Sequence, residues 1–350
     1  MNLTLDCIIF GLQKFGGIST YWNQLINHMA GRPDVALHLN LPKTIRYDSS
    51  PALETVAADV SRSTIPTELA RYGFAGAGHR GGIFHSSYFR TPITSPAKTV
   101  VTVYDFTYEK FRMGLPKLVH STQKFAAIRR ADGVICISEN TRRDLLDMMP
   151  DVDPSKVVSI PLAVMHERFF APPANEIEPD LQDVVLFVGQ RGGYKGFRIA
   201  VDAMRAVPRL RLGVIGPALS PEETRQLEDV LPGRWLALGS VPDARLRALY
   251  ASCFALIYPS SYEGFGLPVL EAMACGAPVV TSNLSSLPEV VGSAALKAES
   301  QTGDGYAEKL SSLLAEGERA KWAVSGFAQA NQFRWETTFE RTLAFYREIA

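Results

Sequence analysis

Two glutamates, Glu263 and Glu271, stand with seven residues between them in the stretch YPSSYEGFGLPVLEAMACGAPVV, residues 258 to 280. An apolar run ends at Tyr258, a glycine-rich loop follows, and Pro268 falls where the first turn of a helix tolerates a missing N–H. The helix therefore starts near Gly266 or Leu267. Its free N–H groups and positive dipole end lie beside Gly264 and Gly266, which let a ligand approach the backbone, and this makes an anion site suited to a diphosphate. Glu263 sits in the loop and Glu271 about one turn inside the helix, roughly 5 Å of rise. The two carboxylates can thus flank a pyrophosphate and accept hydrogen bonds from hydroxyls on either side of it. A nucleoside diphosphate sugar carries such hydroxyls, ribose at one end and sugar at the other. The bland alternative is a surface acid plus a helix acid where acids are favoured anyway.

Arg191 and Lys195 lie in the loop RGGYKG, directly after the apolar run VVLFVG. Glycines keep that backbone low while two long cations reach a ligand, which suits neutralisation of a leaving diphosphate. Gly16 and Gly17 follow the first strand and precede a helix, again placing N–H groups at a strand end. His85, in GIFHSSYFR, ends a strand and reads either as a polar site residue or as a satisfied core histidine. No side chain is placed as an obvious covalent nucleophile, and no metal-ligand spacing is visible.

These residues need a scaffold that brings strand ends together. Short β-branched and apolar runs alternate with helical patterns of ten to fifteen residues, the signature of parallel sheets built from βαβ units. LTLDCIIF, VALHLN, GIFHSS, TVVTVY, GVICIS and KVVSIP are the strands of the first half; VVLFVG, LRLGVIG, WLALG, FALIYPS, PVVTS and AALKA are those of the second. Between them APPANEIEPDLQD, residues 171 to 183, has no hydrophobic period and reads as a linker. The expectation is an α/β protein of two doubly wound, Rossmann-like domains across a cleft, with ligands at the carboxyl ends of the strands. Residues 1–170 would form the first domain and the second would begin at 184. A length of 350 residues fits two domains. With 36 Lys+Arg against 36 Asp+Glu, the chain lacks the basic surplus of a nucleic-acid binder. Cys7, Cys136, Cys253 and Cys275 each lie in an apolar run, as buried reduced thiols of a cytosolic protein would, and no apolar run is long enough to span a membrane.

The segment from Glu263 to Val280 resembles, almost letter for letter, the glutamate-pair motif of retaining glycosyltransferases of family four, which have the GT-B fold. FGGISTYW is similar to that family's N-terminal glycine loop, VLFVGQRGGYKGF to its phosphate loop, and LGSVPDARLRALYASCFALIYPS, with Val241, to its base-binding region. FRWETTFERTLAFYREI is similar to its terminal helix, so the resemblance implies an acceptor-side domain over 1–170, a nucleotide-sugar-binding domain over 184–332 and a helix over 333–350 that packs back on the first. It implies that Glu271 holds the ribose and Glu263 the transferred sugar. It puts the backbone of Gly264, Phe265, Gly266 and Leu267 on the phosphates, Arg191 and Lys195 as their clamp, and Gly16 and Gly17 as a further diphosphate contact. It implies Lys195, Arg191, Glu263 and His85 as catalytic residues. Where relatives carry a second histidine, this chain has Ser87, and a TVHD-like position reads TVYD, so that His85, Ser87, Tyr104 or Asp105 takes the family histidine's role. The implied co-substrate is a nucleoside diphosphate sugar, with no cofactor and no metal, and the acceptor is a glycan or lipid-linked hydroxyl of bacterial polysaccharide type. A sugar-nucleotide epimerase of the same fold and a non-catalytic sugar-nucleotide-binding protein are the alternatives.

Residues 110 to 130, KFRMGLPKLVHSTQKFAAIRR, hold six Lys/Arg and no acid, with Lys110, Lys117 and Lys124 every seven residues. They read either as a basic amphipathic helix at an anionic membrane surface or as a packed helix with a solvated cationic edge.

Overall fold

The computed structural model describes residues 1–13, 16–45, 59–75, 81–92, 97–173 and 176–350. The chain divides into two compact units, one of Met1–Leu162 with Trp335–Ala350, the other of Ala163–Arg334. In the first unit seven parallel strands run in the order β3-β2-β1-β4-β5-β6-β7. They are β1 (Asn2–Asp6), β2 (Ala36–Leu41), β3 (Asp59–Arg62), β4 (Ile83–Ser86), β5 (Lys98–Val103), β6 (Gly133–Cys136) and β7 (Val157–Ser159). Six of them coincide with the apolar runs of the sequence. The seventh, β3, is DVSR, exposed at all four positions and paired only with β2, from His38↔Asp59 to Leu41↔Arg62. An edge strand that buries nothing needs no apolar pattern, so the pattern could not announce it.

Helices α1 (Gly17–Ala30), α2 (Leu115–Arg130) and α3 (Glu139–Met148) accompany this sheet. Ser138 caps α3 by accepting the amide hydrogen of Thr141 at 3.0 Å.

The second unit has six parallel strands in the order β10-β9-β8-β11-β12-β13: β8 (Val184–Val188), β9 (Arg211–Ile215), β10 (Trp235–Gly239), β11 (Ala255–Tyr258), β12 (Val279–Ser282) and β13 (Leu296–Ala298). Its helices are α4 (Phe197–Arg205), α5 (Pro221–Val230), α6 (Asp243–Ser252), α7 (Leu267–Ala274), α8 (Gly303–Ser312) and α9 (Glu318–Ala330). Phe187, Val201, Met204, Leu212, Leu227 and Tyr306 belong to its buried core. The described residues of the stretch read as a linker, 171–173 and 176–183, fall within this unit. The Glu178 amide donates to Ser252 Oγ at 2.9 Å, and Gln182 donates to the Ser252 carbonyl at 2.9 Å. Hydrogen bonds to the end of α6 hold it there, and such bonds leave no hydrophobic period in the sequence.

The terminal helix α10 (Trp335–Ile349) returns to the first unit and buries Trp335, Thr338, Phe339, Thr342, Leu343 and Tyr346, one face of a 3.6-residue repeat. Trp335 stacks on Phe339 at 5.3 Å, and Thr338 donates to the Pro161 carbonyl at 2.9 Å. Gly133 on β6 makes room for it, because a Cβ there would lie 2.7 Å from the Phe345 ring. All four cysteines are free and buried.

In each unit the chain winds outward from one central strand and returns on its other side. The reversal falls between β1 and β4 in the first unit and between β8 and β11 in the second. At such a point the loops leaving the two strands diverge and open a crevice at the carboxyl edge of the sheet.

Candidate active site

The loops after β8 and β11 meet at the crevice of the second unit. After β8 a short 3₁₀ turn, Gly193–Lys195, leads through Gly196 at φ +70° into α4. A Cβ on Gly196 would stand 2.2 Å from the Pro259 carbonyl oxygen, so only glycine lets this loop seat against the end of β11. The Tyr194 carbonyl accepts the Ser261 amide hydrogen at 2.8 Å and fixes that seating. Lys195 is thereby aimed across the reversal point, and its Nζ donates to both carboxylate oxygens of Glu263, at 2.7 and 2.9 Å. Both side chains are largely buried. The resemblance assigns these residues separate tasks, phosphate for one and sugar for the other; the tertiary fold makes them one charged unit.

Glu263 is fixed from a third direction. Its amide donates to Ser285 Oγ at 3.1 Å, and its carbonyl accepts from the Ser285 and Ser286 hydroxyls at 2.7 and 3.0 Å. Ser286 Oγ also lies 2.8 Å from the carbonyl of the buried Phe265. These two serines escaped the sequence reading; the signal available was a Ser-Ser pair just ahead of Leu287-Pro288, a helix start beside the last strands of the sheet. Gly266 takes φ +114° at the N-cap of α7, and a Cβ there would lie 2.8 Å from Leu287 Cδ2. With Pro268 in the first turn and no side chain capping it, α7 begins at Leu267 as expected of an anion-binding helix start. Gly264 and Leu267 are partly buried, and Val241 is partly buried in the connection from β10 to α6.

Glu271 points into a drier setting. Burial, reinforced by the negative charge of Asp243, pushes its carboxyl up to about 7, against the opposing effect of the Tyr250 hydroxyl 3.5 Å away. At neutral pH this acid is therefore shared between its two protonation states, whereas the Glu223 carboxyl at the start of α5 is held below its ordinary range, chiefly by its hydrogen bond from Arg191.

Arg191 departs from expectation. Its guanidinium makes a two-pronged contact with Glu223, at 2.7 and 3.1 Å, and donates to the Pro217 and Ala218 carbonyls at 2.9 and 2.8 Å. With its side chain only 6% exposed, it ties the loop after β8 to the start of α5 rather than offering a free phosphate clamp. Glu223, which also completes a capping box with Ser220, is the anion that captures it.

His85 is likewise corrected. It is fully buried in the first unit, with Nδ1 2.5 Å from Tyr346 Oη and Nε2 2.8 Å from Thr102 Oγ1. Desolvation lowers its pKa to about 3, so it is a neutral core histidine with both nitrogens engaged and no access to a reacting group. Ser87 donates to the Asp6 carbonyl at 2.7 Å and accepts the Ile9 amide hydrogen, while the buried Tyr104 hydroxyl accepts from Trp22 Nε1 at 2.6 Å. Asp105 has one oxygen on the Thr107 amide at 2.8 Å and lines a cavity. Gly16 and Gly17 are exposed at the start of α1, Gly16 at φ +155° as its N-cap.

The cationic stripe of residues 110 to 130 dissolves in three dimensions. Lys110 pairs with Asp144 at 2.6 Å. Lys124, 1% exposed, lies 3.1 Å from Glu109 Oε2 and 3.6 Å above the Phe106 ring, and donates to the Asp105 carbonyl. What this region shows to solvent is mixed: Met113 at 89%, with Leu115 and Leu118, beside the exposed cations Arg112, Arg129 and Arg130, of which Arg129 pairs with Asp151. Among the described residues no helix is long and apolar enough to cross a membrane, and no group of three or more His, Cys, Asp or Glu could hold a metal ion.

Residues 173–326, which carry the Lys195–Glu263 pair, the Gly266 helix start and Glu271, match the family of glycosyl transferases group 1. That match covers less than half of the chain. Among its relatives, the O-antigen chain mannosyltransferase B of Escherichia coli is 34% identical over 236 residues, which cover 61% of this chain and 60% of that protein. The chain thus spans less than two thirds of that relative's length. An alpha-maltose-1-phosphate synthase of Mycolicibacterium smegmatis is 25% identical over 383 aligned positions covering 97% of each. The fold is GT-B: sucrose-phosphate synthase from Thermosynechococcus elongatus superposes with a TM-score of 0.76 at 19% identity, over 100% of this chain and 99% of that one. Anabaena Alr3699/HepE, solved in complex with UDP and glucose, gives 0.72 at 17% identity over 98% of each. The chain thus holds two doubly wound units, each with its own strand reversal.

Proposed function

We propose that this chain is a glycosyltransferase that moves a hexose, mannose in the first instance, from a nucleoside diphosphate sugar to a hydroxyl of a glycan or lipid-linked acceptor, with retention at the anomeric carbon. The observation that carries the reading is the Lys195–Glu263 pair beside the uncapped start of α7. A donor phosphate arriving at that helix start offers Lys195 a second anion, which releases Glu263 toward the hydroxyls of the sugar. The C1–O bond to the diphosphate breaks, and negative charge grows on the departing oxygen. Lys195 and the α7 amides meet that charge, an interaction stronger in the transition state than before it. The acceptor oxygen bonds to C1 from the same face, and its proton passes to the departing phosphate oxygen. Glu271, one helical turn beyond, accepts from the ribose hydroxyls. Arg191 acts here by holding the loop rather than by touching the donor. The reaction as written calls on no resident cofactor.

Mannose is supported by the O-antigen relative; a UDP donor is supported by the HepE complex. An epimerase or a silent binding protein has no such support. A peripheral seat on a membrane remains part of the proposal, now resting on exposed Met113, Leu115 and Leu118 rather than on a lysine stripe. The deciding experiment screens GDP-, UDP- and ADP-sugars for thermal stabilisation, then for free nucleoside diphosphate formed together with a glycosylated acceptor. Nucleotide release without acceptor glycosylation across all donors and acceptors tried would remove the transferase reading of this site.

A further inference from the structure

Ser285 stands in the connection from β12 to the short helix Leu287–Val291, and its backbone takes φ +57°. Among the described residues, Phe89 alone joins it as a non-glycine in the left-handed region. There the Cβ crowds the following carbonyl oxygen, so a serine persists only where its surroundings over-determine it. The surroundings here are the backbone of Glu263. Ser285 Oγ accepts the Glu263 amide hydrogen at 3.1 Å and donates to the Glu263 carbonyl at 2.7 Å, so one hydroxyl answers both backbone groups of one residue. A serine ahead of a helix ordinarily caps it by accepting an amide hydrogen from the first turn. That simpler role fails at this helix. Ser286, its N-cap, makes no side-chain cap bond, and the buried Oγ lies 3.0 Å from the Glu263 carbonyl oxygen and 2.8 Å from that of Phe265. Both hydroxyls reach back to the loop that carries Glu263.

The other pole of the Lys195–Glu263 pair is anchored in the same way. The Tyr194 carbonyl, one residue before Lys195, accepts from the Ser261 amide at 2.8 Å and from the Ser261 hydroxyl at 3.1 Å. Ser282, at the end of β12, donates to the Ser260 carbonyl at 2.6 Å. Backbone on both sides of the pair is thus tied through serines to β12 and the connection after it, while the two charged groups meet at the ends of rotatable side chains. An acid that must leave Lys195 for the hydroxyls of a sugar needs a fixed pivot, because any shift of its backbone carries the carboxylate along. Misplacement by about 1 Å can cost about 10²-fold in rate. We propose that Ser285 is a positioning residue for the donor sugar. It locks the peptide units on either side of Glu263, so that donor binding turns the carboxylate and leaves the loop in place. The proposal rests on the assignment of Glu263 to the sugar made above.

The test compares two variants of the full chain, each alone and combined with Glu263→Gln. Ser285→Gly removes the hydroxyl and relieves the left-handed backbone, whereas Ser285→Ala removes the hydroxyl and keeps the strain; the glycine variant serves if the alanine one does not fold. Calorimetry reads the affinities of UDP, GDP, UDP-glucose and GDP-mannose, and turnover is followed as glycosylated octyl mannoside. Each variant should raise the Kd of the sugar nucleotide that wild type binds by about fivefold or more and lower turnover about tenfold or more, with the Kd of the matching diphosphate within about twofold. Beside Glu263→Gln neither variant should change these quantities by more than about twofold, because residues that act through one another are not additive. A role in the turn alone predicts that Ser285→Gly behaves as wild type, and that result overturns the proposal. So do equal losses for diphosphate and sugar nucleotide, losses that persist in full beside Glu263→Gln, and a wild type that binds neither sugar nucleotide. A wild type that binds one of them and transfers nothing counts against the transfer reaction instead, and the affinities still judge Ser285.

Discussion

If Glu271 holds the donor ribose, nucleotide affinity should depend on pH in a direction set by its burial. A carboxyl at about 7 in the free protein is mostly protonated at pH 6 and mostly ionised at pH 8. The ribose hydroxyls are donors, and a carboxylate receives them with charge assistance, whereas a protonated acid must first lose its proton or turn it aside. Ligand binding should therefore release close to one proton near pH 6, and affinity for the nucleoside diphosphate should rise about tenfold between pH 6 and pH 8. The same shift acts on stability with the opposite sense. Because the folded-state pKa lies above the ordinary value of 4.5, the folded chain holds the proton more tightly than the unfolded one; the group's full contribution is present below about 4.5 and is lost as pH rises through about 7. A shift of this size corresponds to about 3 kcal/mol. The perturbation is Glu271→Gln, close in size and without titration. Calorimetry of diphosphate binding at pH 6, 7 and 8, in buffers of different ionisation enthalpy, reads affinity and proton release together. The ligand's own phosphate titrates in wild type and variant alike, so the difference between them isolates Glu271. The variant should lose about 1.5 to 3 kcal/mol of affinity at pH 8 and less at pH 6. Identical pH profiles for the two proteins would refute the ribose assignment.

Lys195→Ala should lower turnover by about 10²-fold or more with a smaller change in donor affinity, since the charge it meets grows toward the transition state; single-turnover kinetics beside equilibrium binding separates the two, and a raised KM alone would make it a ground-state contact. Tyr346→Phe should cost about 1 to 3 kcal/mol of stability by leaving His85 Nδ1 buried and unpaired, with turnover per folded molecule unchanged; a selective loss of turnover would return His85 to the chemistry. Replacing Met113, Leu115 and Leu118 together by Ser should release the protein from anionic vesicles at low salt, and wild-type protein found wholly in the supernatant would refute the membrane seat.

The Glu263–Glu271 spacing, the loop glycines and Pro268 are local properties, and they already dictate a strand, a sharp loop and a helix start with a carboxylate on either side. The twelve apolar runs likewise identify the parallel strands, most clearly the inner ones such as β4, β6, β11 and β12, because a strand covered on both faces must be apolar along its whole length. Position in the chain says nothing, however, about which charged groups find each other. Lys195 is captured by Glu263 because β8 and β11 are neighbours at the reversal of the sheet, and Arg191 by Glu223 because α5 begins beside the loop after β8. Lys124 looks like a surface cation in a basic run, yet Glu109 and the Phe106 ring hold it inside, and His85 looks like a strand-end ligand until α10 brings Tyr346 from 261 residues away. The sequence determined which chemistry the chain possesses; the tertiary structure decided which of those groups remain available, since a charge or an imidazole must find a partner before it can be buried, and the partner is chosen by the packing.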